Sequence, residues 1–130
     1  MGELELVVNR KGLKLVIENK SWCRVYLIDN EIVVMLGANS LEKIVSKLLI
    51  AFVNMENKKY FTYQGIKMFT VLNMMEPHSV IAGKLRNDLG LELVVLDKEG
   101  NIVPIVSLLM ENIVEWIEKL TIFMINYTDS

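Results

Sequence analysis

The most constraining feature of this 130-residue chain is a change of hydrophobic period that occurs twice. Over the first forty residues, apolar and polar residues alternate in short runs, the pattern of half-buried strands. Then "SLEKIVSKLLIAFVN" places Leu41, Ile44, Val45, Leu48 and Phe52 on one stripe of a helix. The same order returns in the second half, where Ile113, Trp116, Ile117, Leu120 and Met124 occupy those five positions 72 residues later. Within the two helices, "KLLIAFVN" at 47–54 and "KLTIFMIN" at 119–126 share Lys, Leu, Ile and Asn in register.

The strand signals are equally repetitive. "LELVVNR" (4–10), "LKLVIE" (13–18), "WCRVYLID" (22–29) and "IVVML" (32–36) are rich in β-branched and aromatic residues, with turn signals at Lys11-Gly12, Asn19 to Ser21 and Asp29-Asn30. They predict four antiparallel strands followed by a helix capped by Asn39 or Ser40. Glu42 stands three residues after Asn39, as in a capping box. In the second half, 60–75 reads as one long strand bent or broken at Gly65, followed by strands at 79–86, 91–97 and 102–108 and a helix over about 111–126. Pro104 makes the last strand an edge strand or a bulged one, because proline offers no ladder donor. "LIDNEI" (27–32) also matches "VLDKEGNI" (95–102) up to the extra Gly100-Asn101.

The expectation is an α+β fold of two pseudo-repeated ββββα modules, 1–57 and 58–130, with antiparallel sheets and helices packed together in one domain. Chance identity between two helices built from Leu, Ile, Val and Lys is the competing explanation. Both helices are apolar nearly all round towards their C-terminal ends, at Leu49, Ile50, Ala51 and Val53 and at Ile122, Phe123 and Ile125. Either they pack together within the chain or the chain oligomerises through them. A homodimer or larger assembly is therefore expected.

Composition narrows the function. Apolar residues make up 52% and charged residues 23%, so the chain is expected to be ordered nearly throughout. Its longest apolar run, "LLIAFV" at 48–53, falls far short of the roughly 20 residues that span a bilayer. The N-terminal stretch lacks the basic start and apolar run of a secretory signal. The lone Cys23 reads as a small buried hydrophobe in a reduced, cytoplasmic protein. Net charge is −2 but unevenly placed: residues 1–60 carry nine Lys and Arg against seven Asp and Glu, and 61–130 carry five against nine.

No catalytic constellation emerges. His78 is the only histidine and sits in the turn "MEPHS", which excludes a histidine cluster for metal. The carboxylates fall in turns (Asp29, Glu31, Asp97, Glu99) or on the polar side of the last helix (Glu111, Glu115, Glu118). Gly83 and Gly90 stand alone, without the spacing of a phosphate-cradling loop. The chain is expected to be non-enzymatic, with no catalytic residues, metal or cofactor.

One surface stands out. Alternation sends Leu13, Leu15, Ile17, Cys23, Val25 and Leu27 to the core, leaving Lys14, Val16, Glu18, Lys20, Trp22, Arg24 and Tyr26 on the outer face, with Arg10 and Lys11 nearby. Aromatic rings interleaved with Lys and Arg are the materials of a single-stranded nucleic-acid platform, in which rings stack on bases and cations track phosphates. The same Trp, Tyr and Arg set would equally serve as an anchor patch for a protein partner. The second module does not repeat the feature: Gly90, Glu92 and Val94 stand where Trp22, Arg24 and Tyr26 do, and Lys84 and Arg86 lie on the preceding strand.

Two tandem modules of four strands and a helix resemble the plan of the Whirly and PUR-repeat proteins that bind single-stranded nucleic acids. "YFTYQGIKMFTV" at 60–71 resembles the Whirly stretch in which a Lys-Gly-Lys motif follows an aromatic strand. Here Gln64-Gly65-Ile66-Lys67 keeps the glycine and one shifted lysine, and it stands in the second module rather than the first. The resemblance implies binding of single-stranded DNA or RNA. From it and from the residues together, the expected site is Arg10, Lys11, Lys14, Lys20, Trp22, Arg24 and Tyr26, with an assembly or inhibitory module using the same face as the rival reading.

Overall fold

The computed structural model describes residues 2–19, 21–73, 80–86, 90–96 and 102–128. Lys20, His78, Asp97, Glu99 and the Gly100-Asn101 insertion lie outside them.

The first period of alternation forms a four-stranded antiparallel meander, β1 (Gly2–Val8), β2 (Lys11–Asn19), β3 (Trp22–Asp29) and β4 (Glu31–Ser40), in that spatial order. Its first turn falls at Asn9-Arg10, both at positive φ (53° and 66°), in the two-residue geometry that suits the strand twist. The turn therefore precedes the Lys11-Gly12 signal: Arg10 lies in the turn, and Lys11 opens β2. β4 carries two register shifts against β3, between Val25 and Tyr26 and between Leu27 and Ile28. These bulges bend an edge strand and disturb its free ladder.

Helix α1 (Leu41–Glu56) starts at Ser40, whose hydroxyl accepts from the Lys43 backbone N–H at 3.3 Å. Asn39 instead receives the Ser40 N–H (2.8 Å), so Ser40 is the cap and Glu42 is not its capping-box partner. The backbone N–H of Leu41 donates to the Ser21 carbonyl (3.0 Å), fixing the helix start beside the β2–β3 turn.

The second sheet has five strands, β5 (Phe61–Tyr63), β6 (Ile66–Asn73), β7 (Val80–Leu85), β8 (Gly90–Leu96) and β9 (Ile102–Leu109), again in sequence order. The strand expected over 60–75, bent or broken at Gly65, is broken there into a hairpin, with Gln64 (φ 50°) and Gly65 (φ 77°) forming a tight turn that pairs Tyr63 with Ile66. β9 is an edge strand, and its pairing with β8 shifts register between Leu93 and Val94 beside Pro104, as proline requires. Helix α2 (Met110–Thr128) closes the chain, and the Asn112 side chain accepts from the Leu109 backbone N–H at 2.9 Å.

One continuous core joins both sheets and both helices. Leu6, Leu13, Leu15, Ile17, Cys23, Val25 and Leu27 from the first sheet meet Leu48 and Phe52 of α1, Phe69, Val71, Leu91 and Leu93 of the second sheet, and Ile113, Trp116 and Leu120 of α2. The helices pack on each other, with Phe52 and Trp116 edge to face at 5.5 Å between centroids. Helix packing within the chain thus covers one side of each apolar helix. Ile50, Val53, Ile122 and Ile125 stay exposed.

Candidate functional site

The outer face of the first sheet is ordered by register. Lys14 pairs with Glu5 on β1 and Tyr26 on β3, and Tyr26 pairs with Met35 on β4. Val16 pairs with Glu3 and Arg24, and Arg24 with Ala38. Gly12 pairs with Val7 and Ile28, and Ile28 with Ile32. Trp22 lies at the far end of β3, opposite Ser40. Seven residue steps at roughly 3.4 Å separate it from Asp29 by about 24 Å, so Trp22 and the Arg10–Lys11 corner occupy opposite ends of the face.

The structure puts Lys14, Trp22, Arg24 and Tyr26 on this outer face and Lys11 and Arg10 at its corner, while Lys20 lies outside the described residues. Trp22 is 41% exposed, whereas Lys14, Arg24 and Tyr26 are half-buried. Three of the cations are already paired: Lys14 with Glu3 (3.2 Å), Arg24 with Glu18 (2.8 Å) and Lys11 with Asp29 (3.8 Å). Arg10 has no ion-pair partner among the described residues, and its carbonyl accepts the Asn30 N–H at 2.8 Å. The pairs are partly solvated and each contributes only about 0–1 kcal/mol to stability. Their larger effect is on potential, because each cation is neutralised within the face.

The carboxylates Glu3 and Glu5 are absent from the expected site, although "ELEL" alternates in a way that sends both to the Lys14 face. Ile32, Val33 and Met35 on edge strand β4 are absent too, and they are 53%, 56% and 40% exposed. The face is an apolar and aromatic strip with a balanced set of ion pairs around it.

On the equivalent face of the second sheet, the described part beside the β5–β6 hairpin is covered. Met68 and Val94 are fully buried there, packed by Tyr63 and Ile66 of the β5–β6 hairpin. Glu92 receives Arg86 at 3.4 Å.

Cys23 points into the core, where burial pushes its thiol from 9.0 up to about 11. Among the described residues no cluster of His, Cys, Asp and Glu has a metal-binding arrangement, and no helix is long and apolar enough to cross a membrane.

Two shallow apolar grooves flank the helices. One, about 280 Å³, runs between α1 and β6 and is lined by Lys47, Ile50, Ala51 and Asn54 with Thr70 and Val71. The other, about 330 Å³, runs between α2 and β1 and is lined by Lys119, Ile122, Phe123 and Asn126 with Leu4 and Glu5. The four helical positions of the second groove are those of the first, 72 residues on. Compared with family models, curated proteins and solved structures, the chain matches none.

Proposed function

We infer that this chain is a non-catalytic interaction module whose first-sheet outer face docks another protein. The observation that carries the reading is the pairing of Lys11, Lys14 and Arg24 with Asp29, Glu3 and Glu18 while Trp22, Ile32, Val33 and Met35 stay exposed. A phosphate chain gains affinity by replacing counterions on free cations, and internal carboxylates have already taken that role here. A protein partner instead gains from burying Trp, Met and β-branched surface inside a rim of satisfied charges.

Single-stranded DNA or RNA binding is the second reading. It is favoured by the exposure of Trp22 between Arg24 and the N-terminal end of α1, where Lys43 follows the Ser40 cap. Both readings treat the chain as a cytoplasmic homo-oligomer of two pseudo-repeated modules. Support for the modules comes from the matched helical linings of the two grooves. The Phe52–Trp116 contact adds to it by joining the late part of one helix to the early part of the other, as antiparallel equivalent helices would.

The test is affinity capture from native extract with the wild-type chain, Trp22→Ala with Met35→Ala, and Arg10→Ala. A protein retained by wild type and Arg10→Ala but lost with the double variant, whose circular dichroism matches wild type, supports the reading. Identical retention by all three chains contradicts it.

A further inference from the structure

The two helices carry solvent faces of opposite charge and shared apolar character. On α1, Lys43, Lys47, Ile50 and Val53 are exposed along one side of the helix, and Ile50 is 61% exposed. Lys43 and Lys47 are the charged residues of this side, Glu42 and Glu56 stand elsewhere on the helix, and Lys58 and Lys59 follow after it. On α2, Glu111, Val114, Glu115, Glu118, Ile122 and Ile125 form the exposed side, with Ile122 58% exposed. That helix holds three glutamates against one lysine. Lys119 bridges Glu115 at 3.7 Å, and Glu111 and Glu118 have no ion-pair partner among the described residues.

Each face projects isoleucine beside a groove lined by the same helical positions. Laid parallel at a rise of about 1.5 Å per residue, Lys43 and Lys47 run past Glu111, Glu115 and Glu118, while Ile50 and Val53 run past Ile122 and Ile125. Monomeric proteins rarely leave apolar side chains grouped in this way on two neighbouring elements.

We propose that a second copy of this chain covers these faces, with α1 of each copy lying on α2 of the other about a two-fold axis. The pairing is isologous, so one set of complementary contacts is made twice and the assembly closes as a dimer. Opposite charge fixes which helix meets which, because α2 on α2 would oppose glutamates. The outer face of the first sheet lies on other elements and stays free, so this surface stands or falls separately from the interaction face described above.

Sedimentation velocity across the micromolar range tests the proposal. The expected result is a dimer whose dissociation constant rises about tenfold or more with Lys47→Glu or with Glu118→Lys and returns close to wild type when both are combined. Ile50→Asp with Ile122→Asp should give a monomer with unchanged circular dichroism, since both side chains point to solvent. Trp22→Ala should leave the dimer intact. A wild-type monomer at every concentration, a dimer indifferent to these substitutions, or a dimer dissociated by Trp22→Ala would overturn the proposal, the first leaving the faces to a different protein.

Discussion

Single residues set what this chain cannot do and where it tolerates change. Cys23 is fully buried with its thiol raised to about 11, so it should resist a maleimide in the native protein and react only after unfolding. The linkage has a definite sign. Between pH 9.0 and about 11 the unfolded thiol ionises while the folded one holds its proton, so stability falls as pH rises through that window. Denaturant titrations at pH 8 and pH 10.5 should show a smaller loss for Cys23→Ala than for wild type. Gly12 has φ +150° and a Cβ there would run into the Leu6 carbonyl. Gly12→Ala should therefore cost about 1–3 kcal/mol, read as a lower urea midpoint at unchanged slope.

At the scale of elements, the sequence is legible where period and caps agree. The β2 and β3 faces and the five-residue helix stripes are legible because alternation and the 3.6-residue period leave little freedom, whereas the sequence leaves the cap open between Asn39 and Ser40 and its capping-box pattern points to the wrong one. The β5–β6 hairpin is only half legible: Gly65 between apolar runs signals a bend as well as a break, and positive φ at both Gln64 and Gly65 makes it a turn. The ion pairs were hidden for a related reason. Glu3 reaches Lys14 diagonally across a strand pair whose register depends on the Asn9-Arg10 turn, and Glu18 reaches Arg24 at a register shift. The basic character assigned to the outer face came from β2 and β3 without the acidic β1 beside them. Where helices meet, Phe52→Ala should cost about 3–5 kcal/mol, because it removes a fully buried ring and its edge-to-face partner at once. A melting temperature lowered by less than a surface substitution lowers it would contradict the packing described.

At the scale of the whole molecule, the described residues form two antiparallel sheets and two helices around one core. The β5–β6 hairpin covers Met68 and Val94 of the second sheet, while the first sheet keeps Trp22, Ile32, Val33 and Met35 in solvent. Among the described residues of the second half, Tyr60 and Phe61 are also exposed, with Lys67 over the Tyr60 ring at 4.9 Å, so the difference between the two sheets is one of extent. The most direct test is the fluorescence anisotropy of a labelled mixed-sequence single strand, titrated with the protein at low and at moderate salt. With Lys14, Arg24 and Lys11 held by Glu3, Glu18 and Asp29, the face should give no saturable binding even at low salt. Saturable binding that weakens with salt and disappears in Arg24→Glu or Trp22→Ala would contradict the account and establish the face as a nucleic-acid platform.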